Sequence, residues 1–152
     1  MYICGPAGIG KSSIALELVD RGHQLVADDV VHFESDQKRV TGLCPDSLRG
    51  YIGLRDTGML DISRLYGPNA LCHSCPLELV IALNEPVAHS PRLDVIHAKT
   101  TILNVSFPQI NINVIKYRNI ALVIETAVKN YILYRQGLDA NRQFEQKQQH
   151  KS

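Results

Sequence analysis

The chain has 152 residues, 45% of them apolar and 20% charged, and a formal net charge of +1, an ordinary composition for one globular domain with a core that needs no staples. Near-neutral charge offers no electrostatic footprint for nucleic acid or an anionic membrane. No apolar run approaches the roughly 18 residues that span a bilayer, and no basic-then-apolar leader opens the chain, so the expectation is a cytoplasmic protein without nucleic-acid or membrane partners.

The first motif comes at once. Gly5-Pro6-Ala7-Gly8-Ile9-Gly10-Lys11-Ser12 fits G-x-x-x-x-G-K-[ST], and only Tyr2-Ile3-Cys4 precede it as a cramped apolar candidate for the strand behind the loop. Chance would produce the pattern in roughly one chain of this length in two hundred. Its physics is specific. Glycines let successive backbone N–H groups turn inward as an anion nest at a helix N-terminus. A lysine at position 11 reaches the β- and γ-phosphates, and the Ser12 hydroxyl is placed to ligate Mg²⁺. Gly5, Pro6, Ala7, Gly8, Ile9, Gly10, Lys11, Ser12 and Ser13 are therefore the candidate nucleotide-binding residues.

Ser12 to Asp20 reads as a helix, with Ile14, Ala15, Leu18 and Val19 on one face and Gly22 just past its end. Gln24 to Ala27 reads as a short strand that ends in Asp28-Asp29. A right-handed crossover would bring that end beside the loop. Either carboxylate could hold Mg²⁺ or accept a hydroxyl proton during phosphoryl transfer. On an extended backbone the two point to opposite faces and should not share one role.

Val30 to Phe33 and Arg39 to Gly42 read as a hairpin around a polar turn at residues 34–38. Tyr51 to Leu54 and Met59 to Ile62 flank the turn-rich Arg55-Asp56-Thr57-Gly58, and Ile62 to Tyr66 reads as one helical turn. Asp56-Thr57-Gly58 is one residue short of D-x-x-G and no N-K-x-D occurs, which disfavours a GTPase. Cys72-His73-Ser74-Cys75 lacks the second pair that a structural zinc site uses, so it reads as two thiols in a turn. Leu77 to Leu83 is a strand candidate, Asn84 to Leu93 a loop, Thr100 to Phe107 and Ile110 to Ile115 further strands, and Ile120 to Leu133 a 3.6-periodic helix. The polar residues after Gly137 read as a tail without regular structure, which leaves 1–137 as one domain.

Together these residues resemble a family. The loop, Ala15-Leu16-Glu17-Leu18, Arg21-Gly22-His23 and Leu25-Val26-Ala27-Asp28-Asp29 are similar to the catalytic domain of the bacterial HPr(Ser) kinase/phosphorylase. Leu54-Arg55-Asp56-Thr57-Gly58-Met59-Leu60-Asp61-Ile62 resembles that family's E-I-R-G-L-G-I-I-D-V signature, Leu65-Tyr66-Gly67 its L-F-G, and Arg118-Asn119 with Ile124-Glu125 and Asn130 its P-G-R-N segment and following helix. The resemblance implies an α/β fold of the phosphate-loop, PEP carboxykinase-like type, with a mixed central sheet and flanking helices. It implies Mg²⁺ and ATP as cofactors and phosphorylation of a serine on HPr, the phosphocarrier of the sugar phosphotransferase system, with the reverse attack of phosphate on phosphoserine also open. It implies Lys11 on the phosphates, Ser12 and Asp28 on the metal, and Asp28 and Asp29 as source of the base. Arg55 and Arg118 lie in signature segments, Arg92 is a looser match, and the family assembles as a homo-oligomer, often a hexamer.

Departures accompany the match. The family's histidine lies upstream of the loop, its signature glutamate falls at Gly53, the glycine after the signature arginine is Asp56, and the P-G before Arg118 is Lys116-Tyr117. Two other readings stay open: an ATP-binding regulatory module without transfer chemistry, and a small-molecule kinase or ATPase.

Overall fold

The computed structural model describes residues 1–86 and 98–151, in two compact units, Met1–Arg118 and Asn119–Ser152. In chain order the first holds β1 (Tyr2–Cys4), α1 (Lys11–Asp20), β2 (His32–Asp36), β3 (Arg39–Leu43), β4 (Tyr51–Leu54), β5 (Gly58–Asp61), α2 (Ile62–Tyr66), β6 (Ser74–Pro76), β7 (Val80–Asn84), β8 (Ala98–Ile102) and β9 (Val105–Asn113). The second holds α3 (Ile120–Arg135) and α4 (Ala140–Gln149). No helix among the described residues is long and apolar enough to cross a membrane. Arg92 and most of the loop expected over Asn84–Leu93 lie outside the described residues.

A four-stranded mixed sheet, ordered β1-β7-β9-β8, carries the first unit. β1, β7 and β9 run parallel and β8 antiparallel, with Tyr2, Ile3 and Cys4 in register with Val80, Ile81 and Ala82. The cramped tripeptide thus does form the strand behind the loop. Val80 to Leu83 are all buried, as an interior parallel strand requires. A three-stranded antiparallel sheet, β2-β3-β6, and the β4-β5 hairpin complete the unit.

α1 forms and ends for identifiable reasons. Gly10 caps it at φ 100°, Ile14, Leu18 and Val19 are its buried face, and Gly22 at φ 98° stops it. There the N–H of Gly22 donates to Val19 O (2.9 Å) and the N–H of His23 to Leu18 O (3.0 Å), the paired bonds of a Schellman end. One apolar cluster joins Val19, Leu25, Ile52 and Ile62; another joins Val40, Leu77, Val80 and Phe107.

Five expectations change. The strand expected over 30–33 lies at His32–Asp36, which takes in most of the turn expected at 34–38. Gln24 to Ala27 is not a sheet strand: only Leu25 pairs, in a single parallel bridge to Leu71. Its N–H donates to Ala70 O and its carbonyl accepts from Cys72 N–H, after which the chain bends toward Asp28. The break expected near Pro108 falls instead at Leu103-Asn104, at φ 47° and 64°, the two positive values of a tight hairpin turn. Pro108 stays within β9, in the half that pairs β8 alone, so its missing N–H interrupts no β7 bond. Cys75 lies in β6, paired with Gly42, rather than in a turn. Residues after Gly137 form α4, whose first turn is capped by the Asp139 carboxylate accepting from the N–H groups of Asn141 and Arg142.

Candidate active site

The site is built where β1 hands over to α1. The turn between them leaves Gly8 and Gly10 at positive φ, 81° and 100°, the conformation that aims consecutive N–H groups at one point. Gly5 is needed for a different reason. A Cβ there would stand 2.9 Å from the backbone oxygen of Leu83 on β7, so the loop lies flat against the sheet only with glycine. Lys11 folds back over the turn and its ammonium donates to Gly5 O (2.7 Å) and Pro6 O (3.2 Å). Burial pushes the Cys4 thiol above its usual range, with the Lys11 charge pulling the other way, so the thiol before the loop stays protonated at neutral pH.

Asp28 comes to this turn from the other side. Its Oδ1 accepts from Ser12 Oγ at 2.8 Å, and its Oδ2 accepts from the backbone N–H of Gly53 at 3.1 Å. The apolar cluster explains the meeting. Val19, Leu25 and Ile52 pack together: Val19 shares α1 with Ser12, Leu25 shortly precedes Asp28, and Ile52 adjoins Gly53. Asp28 is half-buried and turned inward, whereas Asp29 is exposed. A cleft of about 320 Å³ opens alongside, lined by Lys11, Ser12, Leu18, Leu25, Asp28 and Phe33 among others.

Lys11, Ser12 and Asp28 are therefore brought together. Arg55 is exposed in the β4–β5 turn, two residues beyond Gly53, and Arg118 is exposed at the end of the first unit; neither joins the Ser12–Asp28–Gly53 contacts. The contact that sequence reading missed is the Gly53 N–H. A side-chain signature cannot reveal a backbone donor, and Gly53 stood out only as the place of a missing glutamate.

Among the described residues no three His, Cys, Asp or Glu cluster as a ready-made metal site. The Ser12 hydroxyl and Asp28 carboxylate, 2.8 Å apart, are instead the sparse set of hard oxygens with which Mg²⁺ is held when phosphates and water supply the rest. The residues present fit that ion.

A glycine-rich turn between a parallel strand and a helix, on a mixed sheet, defines an α/β protein of the phosphate-loop kinase fold. Comparison with known proteins narrows the class. Residues 1–148 match the family described as HPr Serine kinase C-terminal domain, and the chain belongs to that family. The HPr kinase/phosphorylase of Nitrosomonas europaea is 38% identical over 149 residues, which cover 95% of this chain and 46% of that protein. The HPr kinase/phosphorylase of Lactobacillus johnsonii is also 38% identical, over 96% of this chain and 47% of its own length. The structure of the Hpr(Ser) kinase/phosphatase from Coxiella burnetii matches with a TM-score of 0.82 at 35% identity, over 93% of this chain and 88% of that one. The chain spans about half the length of the curated relatives it matches.

Proposed function

We propose that this chain binds Mg²⁺ and ATP at the Gly5–Ser13 loop and transfers the γ-phosphoryl group to a serine hydroxyl of an HPr-like phosphocarrier. The observation that carries the reading is Asp28 bound to Ser12 Oγ at 2.8 Å, a carboxylate held at the metal-ligating hydroxyl of a phosphate loop. Family membership and the names of the relatives supply the acceptor.

In this reading the loop N–H groups and Lys11 cradle the phosphates, Lys11 exchanging its bonds to Gly5 O and Pro6 O for phosphate oxygens. Mg²⁺, when bound, neutralises charge on the phosphates; Ser12 and Asp28 would hold it. The serine oxygen forms a bond to the γ-phosphorus as the bond to the β–γ bridging oxygen breaks, and ADP leaves. The hydroxyl proton passes to the Asp28–Asp29 pair. Arg55 and Arg118 steady the acceptor and the phosphoryl oxygens. The reverse reaction uses the same groups, with inorganic phosphate attacking phosphoserine. A cytoplasmic homo-oligomer with residues 1–137 as its catalytic portion belongs to the same reading.

The test is transfer of ³²P from labelled ATP to purified HPr. Asp28→Asn should lower the rate about 10²- to 10⁴-fold, the usual worth of a positioned acid–base group, while nucleotide binding survives. Transfer untouched by that change would sink the proposal. ATP turnover indifferent to HPr would favour a small-molecule kinase or ATPase, and binding without any phospho-HPr a regulatory module.

A further inference from the structure

An aspartate carboxylate turns easily, because rotation about its last side-chain bond is broad and two-fold. What it offers a ligand depends on which external donors hold its oxygens. Among the described residues two such donors hold Asp28, approaching different oxygens: Ser12 Oγ at Oδ1 and the Gly53 N–H at Oδ2. The second is built into a strand. Gly53 lies in β4 opposite Met59, and alternate residues of an antiparallel pair turn their N–H groups outward. The Gly53 N–H is one of these, directed at Asp28 rather than at β5. Its neighbour Ile52 is fully buried among Val19, Leu25 and Ile62, which fixes this donor relative to the helix that carries Ser12.

We propose that Gly53 is a positioning residue for the transfer reaction: its backbone N–H sets the rotation of the Asp28 carboxylate, committing Oδ2 to the β4–β5 hairpin and presenting Oδ1 to the phosphate loop. This rests on the transfer reading above and deepens it. The hairpin whose turn holds Arg55 is thereby tied to the loop through one carboxylate, so a displaced β4 would misalign Asp28 without touching the nucleotide directly. A glutamate side chain at this position is not needed for that task, because the donor is the main chain.

Two substitutions separate the donor from the side chain. Gly53→Ala keeps the N–H, and its Cβ would meet only the Met59 sulfur, at 3.1 Å, on a side chain that is 65% exposed and free to move. Gly53→Pro removes the N–H where the strand spares it and puts a ring carbon in its place. Gly53→Pro should lower kcat for HPr phosphorylation about 10²-fold, the effect of a small misplacement of a reacting group, with KM for ATP little changed, while Gly53→Ala restores the wild-type order of magnitude. Equal kcat in the two variants would overturn the proposal. A second readout needs no catalysis and covers a proline variant that does not fold: the amide proton resonance of Gly53. Asp28→Ala should move it upfield and Asp29→Ala should not; an amide indifferent to Asp28→Ala overturns the proposal as well. A wild-type chain that phosphorylates nothing would count against the transfer reading alone, and the amide resonance would still decide the role of Gly53.

Discussion

Gly5 and Tyr117 carry opposite lessons about single residues. Gly5 looks like one glycine among three in a loop, yet its constraint is space, not φ: a methyl group there would press on Leu83 O at 2.9 Å and Leu83 Cβ at 3.1 Å. Both neighbours belong to the central strand, so the loop must yield. Gly5→Ala should cost about 1–3 kcal/mol, the range for overpacking, read as a lowered urea midpoint with an unchanged slope, and it should weaken nucleotide binding in parallel. An unaltered midpoint would mean that the loop lifts off the sheet freely. Tyr117 departs from the P-G-R-N segment that the chain otherwise resembles, but its backbone sits at φ 75°, the left-handed region a glycine takes without strain. The residue here is a tyrosine, but its backbone takes the conformation that a glycine favours. Tyr117 is 96% exposed, so the large ring meets no steric obstacle, and the Lys116 ammonium lies 5.6 Å from its centre.

At the scale of elements, the β4–β5 hairpin joins stability to the site. Ile52 in β4 and Ile62, the first residue of α2 directly after β5, are both fully buried, and both pack with Val19 of α1. Ile52→Ala should cost about 2–5 kcal/mol by leaving a cavity, measurable by chemical denaturation. It should also loosen the Gly53 clamp next door, so kcat for HPr phosphorylation should fall more than in a variant equally destabilised at Val40, in the other cluster. Similar kcat in the two would separate core from clamp. The same hairpin shows what a sequence can and cannot reveal. Its strands and turn were legible, because two apolar runs flank Arg55-Asp56-Thr57-Gly58 and strand period is local information. So was α1, with its apolar spacing and terminal glycine. The β8–β9 turn was not, because Leu103 at φ 47° is a residue that avoids that conformation, and Pro108 gave a stronger false signal five residues on. The segment before Asp28 reads as a strand from composition, but pairing is a tertiary matter, and its one partner, Leu71, lies 46 positions away. Asp28 still reaches Ser12, through the packing of Leu25 rather than through a sheet neighbour. α4 escaped notice because its polar run has no apolar face for periodicity to detect, and only Asp139 marks its start.

For the molecule as a whole, binding and transfer place different demands on the chain. The loop, its strand and Asp28 all lie within Met1–Arg118, while the matched curated relatives are about twice as long. Binding is therefore the property this chain should display by itself. A ligand that binds only the folded state at a hundred times its Kd stabilises by about 2.7 kcal/mol. At roughly 2–4 °C per kcal/mol for a chain of this size, saturating Mg²⁺ and ATP should raise the melting temperature by about 5–10 °C. Chelating the metal should remove most of that shift, because the Ser12 hydroxyl and Asp28 carboxylate meet the triphosphate favourably only across a cation. Lys11→Ala should remove it as well, by deleting the ammonium that lies over the loop, with little change in melting temperature when nucleotide is absent. A full shift in Lys11→Ala would place the nucleotide elsewhere on the molecule, and the transfer reading would lose its foundation.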